Sequence, residues 1–279
     1  MKADLHMHST HSDGLYEAND LFAMAKKSGL DYISITDHDT CLDVESNYKL
    51  SKEYNVGYIP GIELTTVVDE KNVHVLGYFT DDSYQSDEMM EYYKNIKVKR
   101  EKRAREFIEN LKTYFDLDVD YEDAYRYGRG VIARPHIAKA IIKKYPNYTH
   151  NEVFNLFLGD HSKAYVPSSL LTLQEGIDLL KRNNCVIVLA HPVLLKKSIK
   201  DEVLGHEFDG IEAVYFQNTE EDTNHYLEYV RKNHLLYTAG SDFHGILNDT
   251  KHGNVGDCYI EGEALNRFLE ALNNKKIKE

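Results

Sequence analysis

The chain has 279 residues, 42% hydrophobic and 28% charged, which suits one large domain with a substantial core and excludes a disordered chain. A formal net charge of -13 argues against sequence-independent binding to long nucleic acid. No apolar run approaches the ~20 residues that would span a bilayer.

The opening stretch, MKADLHMHSTHSDG, reads as a strand ending in His6-Met7-His8 and running into Ser12-Asp13-Gly14. Strand alternation puts His6 and His8 on one face and Leu5 and Met7 on the other. Two imidazoles near a strand end, followed by a carboxylate, make half of a metal site. Two polar residues on a half-buried strand give the same pattern, so the rest of the chain decides.

A helix is expected over 17–28, closed by Gly29, then a strand over 32–35 ending in Thr36-Asp37-His38-Asp39. A helix over 42–54 follows, then a strand over 57–60 that leads to Gly61-Ile62-Glu63, and a fourth strand over 72–79 containing His74. Alternating strands and helices imply parallel pairing. The rhythm breaks at 84–165, which reads as a helical insertion with a basic stretch (Lys94 to Arg105) and a helix start at Arg134-Pro135-His136. The basic stretch reads first as a solvated helix face with Glu–Lys pairs, and second as a contact for an anionic substrate.

The rhythm then resumes. A helix over 173–183 precedes the continuous apolar run 185–190, as expected of a strand buried on both faces, which ends in His191-Pro192. A strand over 210–215, a helix over 220–233 and a strand over 235–239 follow, the last ending in Gly240-Ser241-Asp242-Phe243-His244-Gly245. A short strand over 257–260 and a helix over 262–274 complete the chain. Cys41, Cys185 and Cys258 are far apart with no CxxC pair, and the chain opens almost directly on its first strand without a leader pattern. Both facts point to a reducing cytoplasm.

Candidate ligands recur at strand ends: His6 and His8, Asp37-His38, Glu63, His191, Asp242 and His244, with His74 inside its strand. In parallel β/α barrels the loops converge at that end. Nitrogen and oxygen donors without thiolate suit Mn²⁺, Fe²⁺ or Zn²⁺, and the set is large enough for two or three divalent ions, with Glu63 suited to bridge a pair. Such a cluster generates hydroxide near neutral pH and clamps phosphoryl oxygens. No GxSxG, P-loop or GxGxxG signature competes. His11, His150, His161, His206, His225, His234 and His252 fall outside the pattern and read as ordinary surface histidines.

In order, DLHMHSTHSDG, TDHD, GIE, His74, AHP and GSDFHG resemble the motifs of the PHP (polymerase and histidinol phosphatase) superfamily of metal-dependent phosphoesterases. The resemblance implies an α/β fold, a distorted seven-stranded β/α barrel over 1–83 and 166–279, with 84–165 as a helical cap. KREKRAREFIENL, GRGVIARPHIAKAI and KAYVP resemble the branch containing nucleoside 3′,5′-bisphosphate phosphatases and a 5′→3′ exoribonuclease. Where that branch often has a histidine after its GIE-V-Y strand, this chain has Phe216-Gln217.

The resemblance also implies roles. His6, His8, Glu63 and Asp242 would hold one metal, and Glu63 would bridge to a second completed by His74 and His191. Asp13, His38 and His244 would hold a third. Asp13, His38, Glu63 and His191 would carry the catalysis, with Asp13, Asp37 and His191 the candidates for the acid, and Arg134 and His136 would bind a substrate phosphate. The implied substrate is a small nucleotide, foremost the 3′-phosphate of nucleoside 3′,5′-bisphosphates. Short 5′-phosphorylated RNA, histidinol phosphate or another small phosphate ester, a carbonyl substrate, and a non-catalytic metal-binding module are the alternatives. No membrane partner is expected.

Overall fold

The opening strand β1 (Lys2–Asp4) continues as extended chain through Leu5 and Met7, both fully buried. A computed structural model describes residues 1–128, 132, 134–159, 161–167 and 170–276. Helix α1 (Ala18–Lys27) buries Leu21, Phe22 and Ala25 and stops at Gly29, whose φ of +70° suits a residue without a Cβ. Next come β2 (Tyr32–Ile33), α2 (Val44–Tyr54) and β3 (Gly57–Tyr58). Pro60 has no N–H to donate, and the chain resumes pairing as β4 (Gly61–Val68), which turns back into β5 (Lys71–Phe79).

β4 and β5 are antiparallel in register from Gly61↔Tyr78 to Val68↔Lys71. The strand–helix alternation implies parallel pairing and no strand over this first arm. The cause is the turn, Asp69-Glu70, where both residues take positive φ (47° and 61°) without the Gly or Asn that usually marks such a hairpin. The β-branched run Thr65-Thr66-Val67-Val68 forms the missed strand.

Helix α3 (Asp87–Phe115) leads to α4 (Tyr121–Tyr127), α5 (Arg134–Lys144) and α6 (His150–Val153). The chain returns through β6 (Leu171–Thr172), α7 (Leu173–Arg182), β7 (Cys185–Leu189), α8 (Lys197–Leu204), β8 (Gly210–Tyr215), α9 (Glu220–Asn233), β9 (Leu236–Gly240), β10 (Ile260–Glu261) and α10 (Gly262–Lys276). The run over 257–260 is therefore strand only at its end. Two units are distinct, Met1–Met90 with Leu170–Glu279, and Glu91–Ser169.

In the first unit β10-β1-β2-β3 and β6-β4-β5-β7-β8-β9 form two sheets. Backbone hydrogen bonds join them at both edges. Leu5 N–H donates to Ala239 O, Asp242 N–H to His6 O and His8 N–H to Phe243 O, which ties the continuation of β1 to that of β9. Glu63 N–H donates to Asp37 O and Asp39 N–H to Glu63 O, which ties the continuation of β2 to β4. Pairing thus runs in a circuit through β1, β2, β4, β5, β7, β8 and β9, parallel except on the two sides of β5. Leu5, Leu76, Tyr78, Val186, Val188, Ala239 and Phe268 belong to one buried cluster. Each of the Leu, Val and Phe side chains contributes about 1.5–3 kcal/mol of burial. The Tyr78 hydroxyl donates to Leu5 O, so its polar tip is satisfied.

The second unit has its own core, including Phe107, Leu111, Ile137, Ile141, Val153 and Leu158. Among the described residues no helix is long and apolar enough to cross a membrane.

Candidate metal centre

The loop after β1 is fixed first. Asp37 accepts hydrogen bonds from the Ser9 N–H (2.8 Å), the Ser9 hydroxyl (2.6 Å) and the Ser12 hydroxyl (2.5 Å). Both carboxylate oxygens are committed, so Asp37 anchors the loop. The anchored loop delivers Asp13. Its Oδ1 lies 3.2 Å from His244 Nε2 and 3.7 Å from His8 Nδ1, and its Oδ2 lies 3.7 Å from His38 Nε2.

Glu63 stands among histidines from four strands. Its Oε1 is 2.9 Å from His74 Nδ1, 2.9 Å from His191 Nε2 and 3.5 Å from His6 Nε2. Its Oε2 is 2.8 Å from His38 Nδ1 and 3.3 Å from His8 Nε2. Glu63 is the third residue of β4 and not at a strand's C-terminal end, because β4 begins at the site and runs away from it. Asp242 Oδ1 faces His8 Nε2 (3.1 Å) and His6 Nε2 (3.4 Å), while its Oδ2 accepts from the Tyr215 hydroxyl (2.9 Å).

Sequence reasoning missed Glu212, the fully buried third residue of β8. Its Oε1 lies 3.0 Å from His6 Nδ1, and its Oε2 accepts the His191 backbone N–H at 2.8 Å. A lone carboxylate within the apolar run Gly210–Tyr215 was the available signal. Gly240 faces the same pair; an added Cβ there would strike the His6 Cβ and Glu212 Oε1. His252, read as a surface histidine, instead packs against His244 with ring centroids 4.2 Å apart and the rings tilted by 32°.

The backbone is strained where two of these residues sit. His191 has φ of 26° and Asp242 φ of 53°, each a conformation costing on the order of 1–3 kcal/mol outside glycine. Glu212 holds His191 by its N–H, and His6 O holds Asp242 by its own.

The electrostatics follow from crowding opposite charges away from water. Burial alone pushes the carboxyl of Glu63 up, but His38, His74 and His6 outweigh it and hold the group well below the usual range. Asp13 and Asp242 are likewise held low, against burial, by His38 with His244 and by His6 with His244. Burial pushes His6 down, and Glu212, Asp242 and Glu63 together raise it well above the ordinary value. Burial, with His244 beside it, lowers His8 to about 4; Asp13 and Asp242 overcome burial to raise His244 to about 10.

The donors fit divalent cations. His6 Nδ1 faces Glu212, and its Nε2 lies 3.2 Å from His8 Nε2, beside two carboxylate oxygens. Two buried imidazole nitrogens this close need a proton or a cation between them. Overlapping groups meet this description: His6-His8-Glu63, His6-His191-Asp242, His38-Glu63-His74 and His8-Asp13-His38-His244. Arg134 and His136 lie in the second unit, at the start of α5. There the Arg134 guanidinium donates to Leu158 O (3.2 Å) and lies over the Tyr165 ring, and His136 is buried.

An α/β circuit of strands gathers histidines and carboxylates in one buried cluster whose donors suit divalent metal ions. Residues 4–167 match the PHP domain, and the chain belongs to that family. It is 28% identical over 250 residues to the 5′-3′ exoribonuclease Rnm of Salmonella typhimurium, covering 86% of this chain and 84% of that protein. It is 22% identical to the 3′,5′-nucleoside bisphosphate phosphatase of Chromobacterium violaceum, covering 86% of each. A solved structure from Bifidobacterium adolescentis, named as a metal-dependent phosphoesterase, superposes with a TM-score of 0.81 at 26% identity over 96% of both chains. The chain is a metal-dependent phosphoesterase, a hydrolase of phosphoric esters.

Proposed function

We propose that the enzyme cleaves the bond between phosphorus and the 3′ oxygen of a 5′-phosphorylated nucleotide, with nucleoside 3′,5′-bisphosphates as the substrate. The observation that carries the reading is the buried cluster of histidines and carboxylates centred on Glu63. Burial pushes the thiols of Cys41, Cys185 and Cys258 up, and the Ser9 and Ser12 hydroxyls are committed to Asp37. With the carboxylates and imidazoles of the cluster assigned to divalent cations, water is the attacking group in this reading and no phosphoenzyme is expected.

In this reading His6, His8, Glu63 and Asp242 hold one ion, Glu63 with His74 and His191 a second, and Asp13, His38 and His244 a third. Manganese, iron or zinc suits the donors. Divalent cations at such positions supply water activation and neutralise phosphoryl charge. The protein's own work is preorganisation. Glu212 sets the tautomer of His6, Asp37 holds the loop that presents Asp13, and Tyr215 orients Asp242. Arg134 and His136 are the proposed contacts to a substrate phosphate, because a guanidinium fork matches phosphate oxygens.

A second reading is favoured by the identity to the Salmonella exoribonuclease, 28% against 22% for the bisphosphate phosphatase. The bond broken is the same. In a bisphosphate the phosphorus carries only free oxygens besides the 3′ ester; in short RNA it also carries the next nucleotide. Protein loaded with Mn²⁺ is assayed on adenosine 3′,5′-bisphosphate, a 5′-phosphorylated RNA oligomer and histidinol phosphate. Fast release of the 3′ phosphate is expected. Activity on RNA alone moves the assignment to exoribonuclease, activity on histidinol phosphate alone removes the nucleotide, and silence on all three with metal bound overturns the substrate claim.

A further inference from the structure

We infer that His252 is a further metal-ligating residue, held by Asp249 on the Asp242–His244 side of the centre. The cation is of the same class, Mn²⁺, Fe²⁺ or Zn²⁺. The inference rests on reading the cluster as a metal centre.

Three observations converge. The first is orientation: His252 Nδ1 lies 2.6 Å from Asp249 Oδ2. A histidine that binds metal through one ring nitrogen almost always donates the other to a carboxylate or carbonyl, which fixes the tautomer and strengthens the donor. The same relation holds for His6 with Glu212 and for His244, whose Nδ1 donates to Asp242 O at 2.7 Å.

The second is aim. His252 Nε2, left with the lone pair, lies 3.8 Å from Asp242 Oδ2, and ligand atoms of Asp242, His244 and His252 all fall within 4.8 Å of one another. The third is anchoring. Asp249 Oδ1 accepts the N–H groups of Lys251 (2.8 Å) and His252 (3.3 Å), and Gly253 N–H donates to Ser241 O, so the loop is pinned to the end of β9. A surface histidine needs none of these. The His252 side chain keeps 22% of its surface exposed, so this face is open to exchangeable ligands.

The test compares the full-length protein with His252→Ala, His252→Gln, Asp249→Asn and His38→Ala. Metal content after dialysis, Mn²⁺ affinity and the Co²⁺ absorption spectrum are read, with circular dichroism to show folding. His252→Ala should weaken retention of one ion about ten- to hundred-fold and alter the Co²⁺ spectrum. Asp249→Asn should act in the same direction and less. His252→Gln keeps a donor for Asp249 but no imidazole, so it should behave as His252→Ala; wild-type metal binding there would mean a structural role and overturn the inference. Wild-type binding in all three with loss in His38→Ala also overturns it. Wild-type binding in His38→Ala as well overturns the metal-centre reading beneath it.

Discussion

The two halves of the centre use the same residue types and hold them differently. His6, His8 and Glu63 are almost wholly buried, and Glu212 behind them is sealed from solvent. Asp13, His38 and His252 keep side-chain exposures of 26%, 17% and 22%. The inner half is built on extended chain that hydrogen-bonds to neighbouring strands; in the outer half Asp13 and His252 sit on loops anchored by Asp37 and Asp249, and His38 on the chain that pairs with Glu63. Removing a group costs most where water cannot replace it. The inner half should therefore tolerate loss poorly, and the outer half should exchange ligands more readily.

Glu63→Gln gives the largest break, since one carboxylate serves both halves. Turnover should fall by roughly 10³-fold or more, with less metal bound after dialysis. Full activity in that variant would remove Glu63 as the bridge. Glu212→Ala tests the inner half without touching a proposed ligand. It leaves His6 Nδ1 and the His191 N–H unpaired and should weaken metal binding about 10–100-fold. Asp13→Ala should instead empty the outer half selectively, seen as one ion lost to a chelator while the others remain.

Smaller effects sit away from the centre. Thr172 and Glu175 form a reciprocal cap at the start of α7, so Thr172→Ala should cost about 1 kcal/mol in urea unfolding with activity per folded molecule unchanged. The hydrogen bond from Arg182 lowers the Glu88 carboxyl. A lowered carboxylate stabilises above its unfolded value and loses that contribution as pH falls through the folded one. Both groups are largely solvent-exposed, so Arg182→Ala should cost at most about 0.5 kcal/mol near neutral pH and nothing near pH ~2.

His6, His8, His38, His191, Asp242 and His244 could be read as one constellation from the sequence because strand period and strand ends are local properties. The helices α1, α7 and α9 could be read for the same reason, from apolar spacing and terminal residues. The antiparallel β4–β5 pair could not, because its turn carries no glycine and the direction of pairing is a relation between segments.

Glu212 was hidden in another way. A lone carboxylate in an apolar strand signals a buried partner without naming it, and its meaning comes from His6, which lies 206 positions away in sequence. His252 was set aside because it follows no strand directly, and only the loop held by Asp249 and Ser241 turns it toward His244. The sequence alone determined which donors exist and that strands would carry most of them. The tertiary structure decided which carboxylate stands behind which imidazole, since a hydrogen bond between distant segments depends on how the strands close on one another.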